Sequence, residues 1–166
     1  MAQIGLNVPL PVVIDLVPTD YLSAAFAVDS SQEIMHLGLT RFEQTTDGRV
    51  FGPIQIAVLH GLPSTMFRRT LAHEYGHALL AGAPAATQIP LHVVEGFAEA
   101  LAETYLVELG GNDAVGRWQR SRLGRGGHPT YDQGFQLISP IVRSHGARHV
   151  AAALRRGPGG LSAIGL

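Results

Sequence analysis

The chain contains no cysteine and no lysine. Without cysteine there are no disulfides, no thiolate metal sites and no cysteine nucleophile, so any metal must be held by His, Asp or Glu. Without lysine, all twelve basic residues are arginine, and acetylation or ubiquitination at lysine is chemically closed. No apolar run reaches the length of a membrane span. The formal net charge is -1, which singles out no partner. Residues 1–14 are largely apolar, but no basic stretch precedes them and no clear small-residue cleavage site follows. The expectation is therefore a soluble, cytoplasmic protein. Eight arginines and a single acid, Asp132, fall between Arg117 and Arg156. No aromatic ladder accompanies them, so they are assigned to a solvated helical surface and no nucleic-acid partner is expected.

What is present fits one domain spanning 1–166, with 46% hydrophobic residues to build its core. Residues 11–17 are β-branched and predict a strand. Residues 33–43 and 49–60 predict two more, joined by a hairpin turn at Thr45-Thr46-Asp47-Gly48. The apolar run at 54–59 predicts a strand buried on both faces or nearly so. Gly61-Leu62-Pro63 breaks that strand, and Ser64 is a candidate N-cap for a helix over 65–81 that Gly82 ends. Further helices are predicted at 92–109, 112–123, 131–144 and 146–156, with Pro140 kinking or dividing one of them. The Gly-rich tail, 157–166, is expected to fray. The fold class is α+β: a small, mostly antiparallel sheet followed by helices.

The chemistry concentrates at His73-Glu74-Tyr75-Gly76-His77. On a helix, positions i and i+4 share a face, so both imidazoles can bind one ion. Glu74 follows the first ligand, about 100° around the helix. A carboxylate there can accept the proton of a water activated by the metal. Two imidazoles and a carboxylate suit a single Zn2+ and leave a fourth position open. Gly76 costs roughly 1 kcal/mol in a helix interior, which predicts close approach of another backbone.

The third ligand is expected from the next helix. Glu95 is assigned that role, with His92 as the rival. Glu99, one turn on, is assigned to accept a hydrogen bond from a ligand histidine's free N–H. Glu103, a further turn on, is assigned to a solvated face. A donor for a developing oxyanion is sought among Tyr131, His128 and His60. His36, His145 and His149 read as ordinary strand or helix residues.

Three segments together resemble a known family: VLHGLPSTMFRRTLAHEYGHALL, HVVEGFAEALAE and TYDQGFQLISPIVRSHGARHVAAAL. HEYGH with a later EGFAE resembles the gluzincin metallopeptidases. More closely, the order GLP, LAHExxHA, EG and Y-x-x-GF resembles the C-terminal peptidase domain of the plant DA/DAR family. Those proteins are LIM-domain, ubiquitin-activated peptidases that restrict organ growth. The resemblance runs from about Gly38 to Leu154. It implies a zincin-like fold, zinc on His73, His77 and Glu95, Glu74 as the base, and Tyr131 as the oxyanion donor. The chain departs from the family at His60, Val94 and Glu99, where Tyr, an acid and Gln are expected. It has no Cys for a LIM domain and no acidic, alanine-containing ubiquitin-interacting helix. It therefore reads as a stand-alone, bacterial-type version with no ubiquitin dependence.

The expected function is a zinc metallopeptidase acting on protein or peptide substrates, without membrane or nucleic-acid partners. The strand at 54–59 is expected to pair with an extended substrate. Two alternatives stand beside it. One is a zinc hydrolase of a non-peptide amide, which a peptide-library digest would separate. The other is a non-catalytic, protein-binding zincin-like domain, against which the intact Glu74 argues.

Overall fold

The computed structural model describes residues 6–8, 10–26, 37–83, 88–108, 114–122 and 129–166. Strand β1 spans Val12–Val17, helix α1 Thr19–Phe26, β2 Gly38–Gln44 and β3 Val50–Leu59. Helices α2 (Ser64–Leu80), α3 (Leu91–Glu108), α4 (Ala114–Arg122), α5 (Pro129–His145), α6 (Ala147–Arg155) and α7 (Pro158–Ser162) follow. The fold is α+β, as expected. No helix among the described residues is long and apolar enough to cross a membrane.

The sheet is mixed rather than mostly antiparallel. Its order is β1-β3-β2, with β1 parallel and β2 antiparallel to β3. A parallel neighbour requires a crossover, and α1 together with β2 lies within it. Helix α1 was not anticipated from the sequence. Its Leu22 packs with Val17 and Ala57 on one face of the sheet. Ile54, Ile56 and Val58 point to the other face, against Ala78 of α2 and Ala81 just after it. Residues 56–58 of β3 are therefore buried on both faces, but the expectation for 54–59 holds only there, since Gln55 is exposed and Leu59 half-buried.

Because β3 is central, both of its hydrogen-bonding edges are taken. The expectation that residues 54–59 pair with a substrate fails for that reason. Strand β2 is the edge on the far side of β3 from β1. Its register with β3 shifts between Arg41 and Glu43, opposite Gly52 and Pro53. A bulge tolerates Pro53, which has no N–H for the ladder.

Helix α2 lies between the sheet and the remaining helices, so it is buried around much of its circumference. Pro63 rather than Ser64 occupies its N-cap, with no side-chain cap hydrogen bond. At the other end Gly82 adopts φ +71°, which terminates the helix. Arg155 of α6 donates to the Leu79 carbonyl at 2.5 Å, a cation on a helix C-terminus. At least this arginine of the basic segment is a structural brace. Helix α5 runs through Pro140 undivided. The tail does not fray: α7 forms, and Ile164 is buried in the main core with Leu166 packed against it.

Two glycine contacts set the helix crossings. A Cβ on Gly76 would lie 2.8 Å from the Ala98 Cα, the close approach its mid-helix position predicted. A Cβ on Gly96 would lie 2.2 Å from the Gly134 carbonyl oxygen, and one on Gly134 would lie 1.9 Å from that of His92. Helices α3 and α5 thus meet backbone to backbone. Gly134→Ala is expected to cost about 1 to 3 kcal/mol from overpacking. Chemical denaturation checks this; unchanged stability would show that the crossing yields without strain.

Candidate metal centre

His73 and His77 sit one turn apart on α2, and Glu95 lies on the first turn and a half of α3. The α2–α3 crossing brings them together. His73 Nε2 and His77 Nε2 are 3.2 Å apart. Glu95 Oε2 is 3.4 Å from the first and 3.5 Å from the second. These three are the residues among those described that form a metal-capable cluster. His92, the rival third ligand, is not in it.

The triangle has the dimensions of three corners of a small tetrahedron. Ligands about 2.0–2.1 Å from a zinc ion in tetrahedral geometry are separated by about 3.3–3.4 Å. A second observation agrees: Glu95 Oε2 is buried with no hydrogen-bond partner. An unpaired buried carboxylate oxygen is costly, and a cation at the centre of the triangle would satisfy it. Two imidazoles and a carboxylate form a donor set suited to zinc, with room for a fourth ligand.

The protonation of the metal-free cluster follows from its charges. Burial opposes charging of His73, but the carboxylates of Glu95 and Glu99 outweigh it and raise the imidazole to about 10. Burial pushes Glu95 the other way from its two histidine neighbours, which prevail and hold it down at about 2. A cation bound at the triangle would compete with a proton on His73.

Glu99 Oε1 stands 3.2 Å from His73 Nδ1. The distance suits the expected contact, although the ring N–H is directed off the line to the oxygen and Nδ1 lacks a well-aligned partner. The other carboxylate oxygen takes Arg69 NH2 at 2.5 Å. Burial raises Glu99, and His73 and Arg69 together overcome it, again to about 2. Arg69 escaped the sequence reading. It lies one turn before His73 and so shares its face, but its partner is thirty residues away on another helix.

Glu74 is buried beneath β2. The Thr40 hydroxyl lies 2.8 Å from its Oε2 and 2.9 Å from its carbonyl oxygen, and can donate to one at a time. Gly38 makes room: a Cβ there would sit 2.7 Å from Glu74 Oε1. Thr40 and Gly38 were also unforeseen, because their role depends on the strand crossing over α2. Glu74 lies close enough to act electrostatically on both His73 and Tyr131.

Tyr131 lies in the first turn of α5, one turn before Gly134, and its ring centroid lies 6.1 Å from that of His73. Burial raises its pKa, and the charges of Glu95, Glu99 and Glu74 raise it further. The phenol consequently remains a hydrogen-bond donor throughout the physiological range. Of its rivals, His60 is exposed on the turn after β3 with its backbone N–H on the Val17 carbonyl, and takes no part in the cluster. His128 lies outside the described residues, as does His36. His145 and His149 are exposed and stack on each other.

Glu103 is not on a solvated face. Its Oε2 accepts the Ser139 hydroxyl at 2.9 Å, with Arg143 Nε at 3.8 Å, so it ties α3 to α5. The third acid of the stripe faces the neighbouring helix because α5 crosses α3 at Gly96.

No known family model matches the chain, and neither the curated proteins nor the solved structures provide a match.

Glu99→Ala is expected to weaken zinc binding about 10- to 100-fold, the usual effect of losing a partner that orients a ligand histidine. Competition with a chromophoric chelator measures it, and wild-type affinity would refute the role. In the metal-free protein Arg69→Gln is expected to cost about 3 kcal/mol, since it strands a buried charge. Adding Glu99→Gln should recover most of that loss. Additive losses in the double variant would show that the two residues do not act as a pair.

Proposed function

We propose that the chain is a zinc-dependent metallopeptidase of gluzincin type, related to the DA/DAR peptidase domains that its motifs resemble. The observation that carries the reading is the triangle of His73 Nε2, His77 Nε2 and Glu95 Oε2, with Glu74 next to the first ligand in the chain. These three side chains would hold the ion. A zinc ion there supplies Lewis acidity, lowering the pKa of a water and polarising the carbonyl to be attacked.

The protein's own groups provide the rest. Glu74 takes a proton from the attacking water on its carboxylate and returns it to the leaving amine. Thr40 and Gly38 fix that carboxylate, so little reorganisation is needed when the proton moves. Tyr131 donates its O–H to the oxygen on which negative charge develops. Glu99, held by Arg69, keeps His73 oriented with Nε2 toward the cluster. An extended substrate pairs along the outer edge of β2, in place of the central strand first expected. The even-numbered residues of β2 nearest α2, Gly38 and Thr40, already lie against Glu74.

Two variants separate these roles. Glu74→Gln is expected to retain zinc and lose nearly all peptide hydrolysis, because an amide cannot accept the proton. Wild-type turnover in that variant would make the assigned chemistry wrong. Tyr131→Phe is expected to lower kcat about 10- to 1000-fold, around the range for removing one oxyanion donor. Zinc content and melting temperature should stay unchanged. A normal kcat in Tyr131→Phe would remove the phenol from the mechanism.

A further inference from the structure

A cavity of about 460 Å³ opens beside the metal centre, and none of the roles above uses it. His77 forms one wall, and Val94, the neighbour of Glu95, forms another. Its remaining apolar lining comes from Phe42 of β2 and from Leu80, Ala81 and Ala83 at the end of α2. The β2–β3 hairpin lines the remaining side. The single charged residue in the lining, Asp47, is exposed on that hairpin and accepts the Thr45 hydroxyl. The cavity thus has a largely apolar interior, a polar rim and no arginine, with His77 on the side of the cluster.

Two local features shape this space. The register shift opposite Gly52 and Pro53 falls at Phe42, and bulges characteristically re-aim a side chain beside a site. Ala81, Gly82 and Ala83 in the lining are small and take up little of the space. The volume falls in the range of small-molecule sites.

We infer that this cavity is a specificity subsite, which receives an apolar side chain (Leu, Met or Phe) flanking the scissile bond of the substrate. This rests on the peptidase reading. The geometry favours it because the cavity and the cluster share His77. A peptide carbonyl placed at the cluster, with its chain along β2, brings the adjacent side chain over the cavity mouth. A charged side chain there would lose its water and meet no partner, whereas an apolar one would bury its surface against Phe42, Leu80 and Val94.

The experiment uses the full chain loaded with zinc and a proteome-derived peptide library, with cut sites read by mass spectrometry. Leu, Met or Phe should be favoured over Ala at one fixed flanking position by about 10- to 100-fold, and charged residues should be depleted there. Gln44→Trp, at an exposed position on the cavity mouth, should shift that preference toward Ala and Ser. Phe42→Ala should flatten it. Cleavage without an apolar preference, or a preference that neither variant moves, overturns the inference and leaves the peptidase reading intact. A binding arm separates the two claims. N-acetyl-leucine should bind the zinc-loaded protein at least about 10-fold more tightly than N-acetyl-aspartate, and Gln44→Trp should remove the difference. If no peptide is cut but that selectivity holds, the subsite stands and the peptidase reading falls. Equal binding of the two probes overturns the subsite.

Discussion

Gly76 has no side chain, and the backbone of Ala98 occupies the space a methyl group would need. Helix axes in ordinary packing lie about 8–10 Å apart, set by the side chains between them. A bare crossing brings α2 and α3 closer, and the triangle of His73, His77 and Glu95 depends on that approach. His77 follows Gly76 directly, and Glu95 lies about one turn before Ala98. Any side chain at the crossing would separate the imidazoles from the carboxylate. A glycine that weakens the helix by roughly 1 kcal/mol is therefore offset by a geometry that no other residue permits. The second bare crossing, Gly96 against Gly134, does the same for α5 and carries Tyr131 to His73.

The electrostatics are consistent with that geometry. Glu74, Glu95 and Glu99 converge on a nearly dry region, and Arg69 is the fixed cation that pairs with one of them. Buried carboxylates persist as anions only when matched by positive charge or strong donors. The Glu95 and Glu99 carboxylates favour a proton on His73, and a divalent cation at the triangle would supply that positive charge in its place.

Legibility in the sequence followed the range of the interactions. The i, i+4 spacing of His73 and His77 is a property of one helix, so their shared face was readable, as was the hairpin turn at Thr45–Gly48. Glu95 was within reach because its helix follows directly and the acidic stripe was conspicuous. The parallel pairing of β1 with β3 was not, since strand order is a tertiary property and β1 carries no sign of its partner. Helix α1 was missed because it has eight residues, too short a stretch for periodicity to register, and it is Leu22 that anchors it to the sheet. The tail was misjudged from glycine content: Gly160 is needed where a Cβ would lie 1.8 Å from the Ala153 carbonyl oxygen. Glycine there marks tight packing rather than looseness. Thr40, Arg69 and the partners of Glu103 act across elements, where no local pattern could flag them.

The central claim is that α3 completes the metal site through one carboxylate, Glu95, and through no other acid or histidine on that helix. Zinc content after dialysis against a weak chelator tests it directly, comparing wild type with Glu95→Ala, Glu103→Ala and His92→Ala. One zinc per chain is expected in the wild type, retained in Glu103→Ala and His92→Ala and lost from Glu95→Ala. Zinc retained by Glu95→Ala and lost from His92→Ala would contradict the account and make the ligand set three histidines.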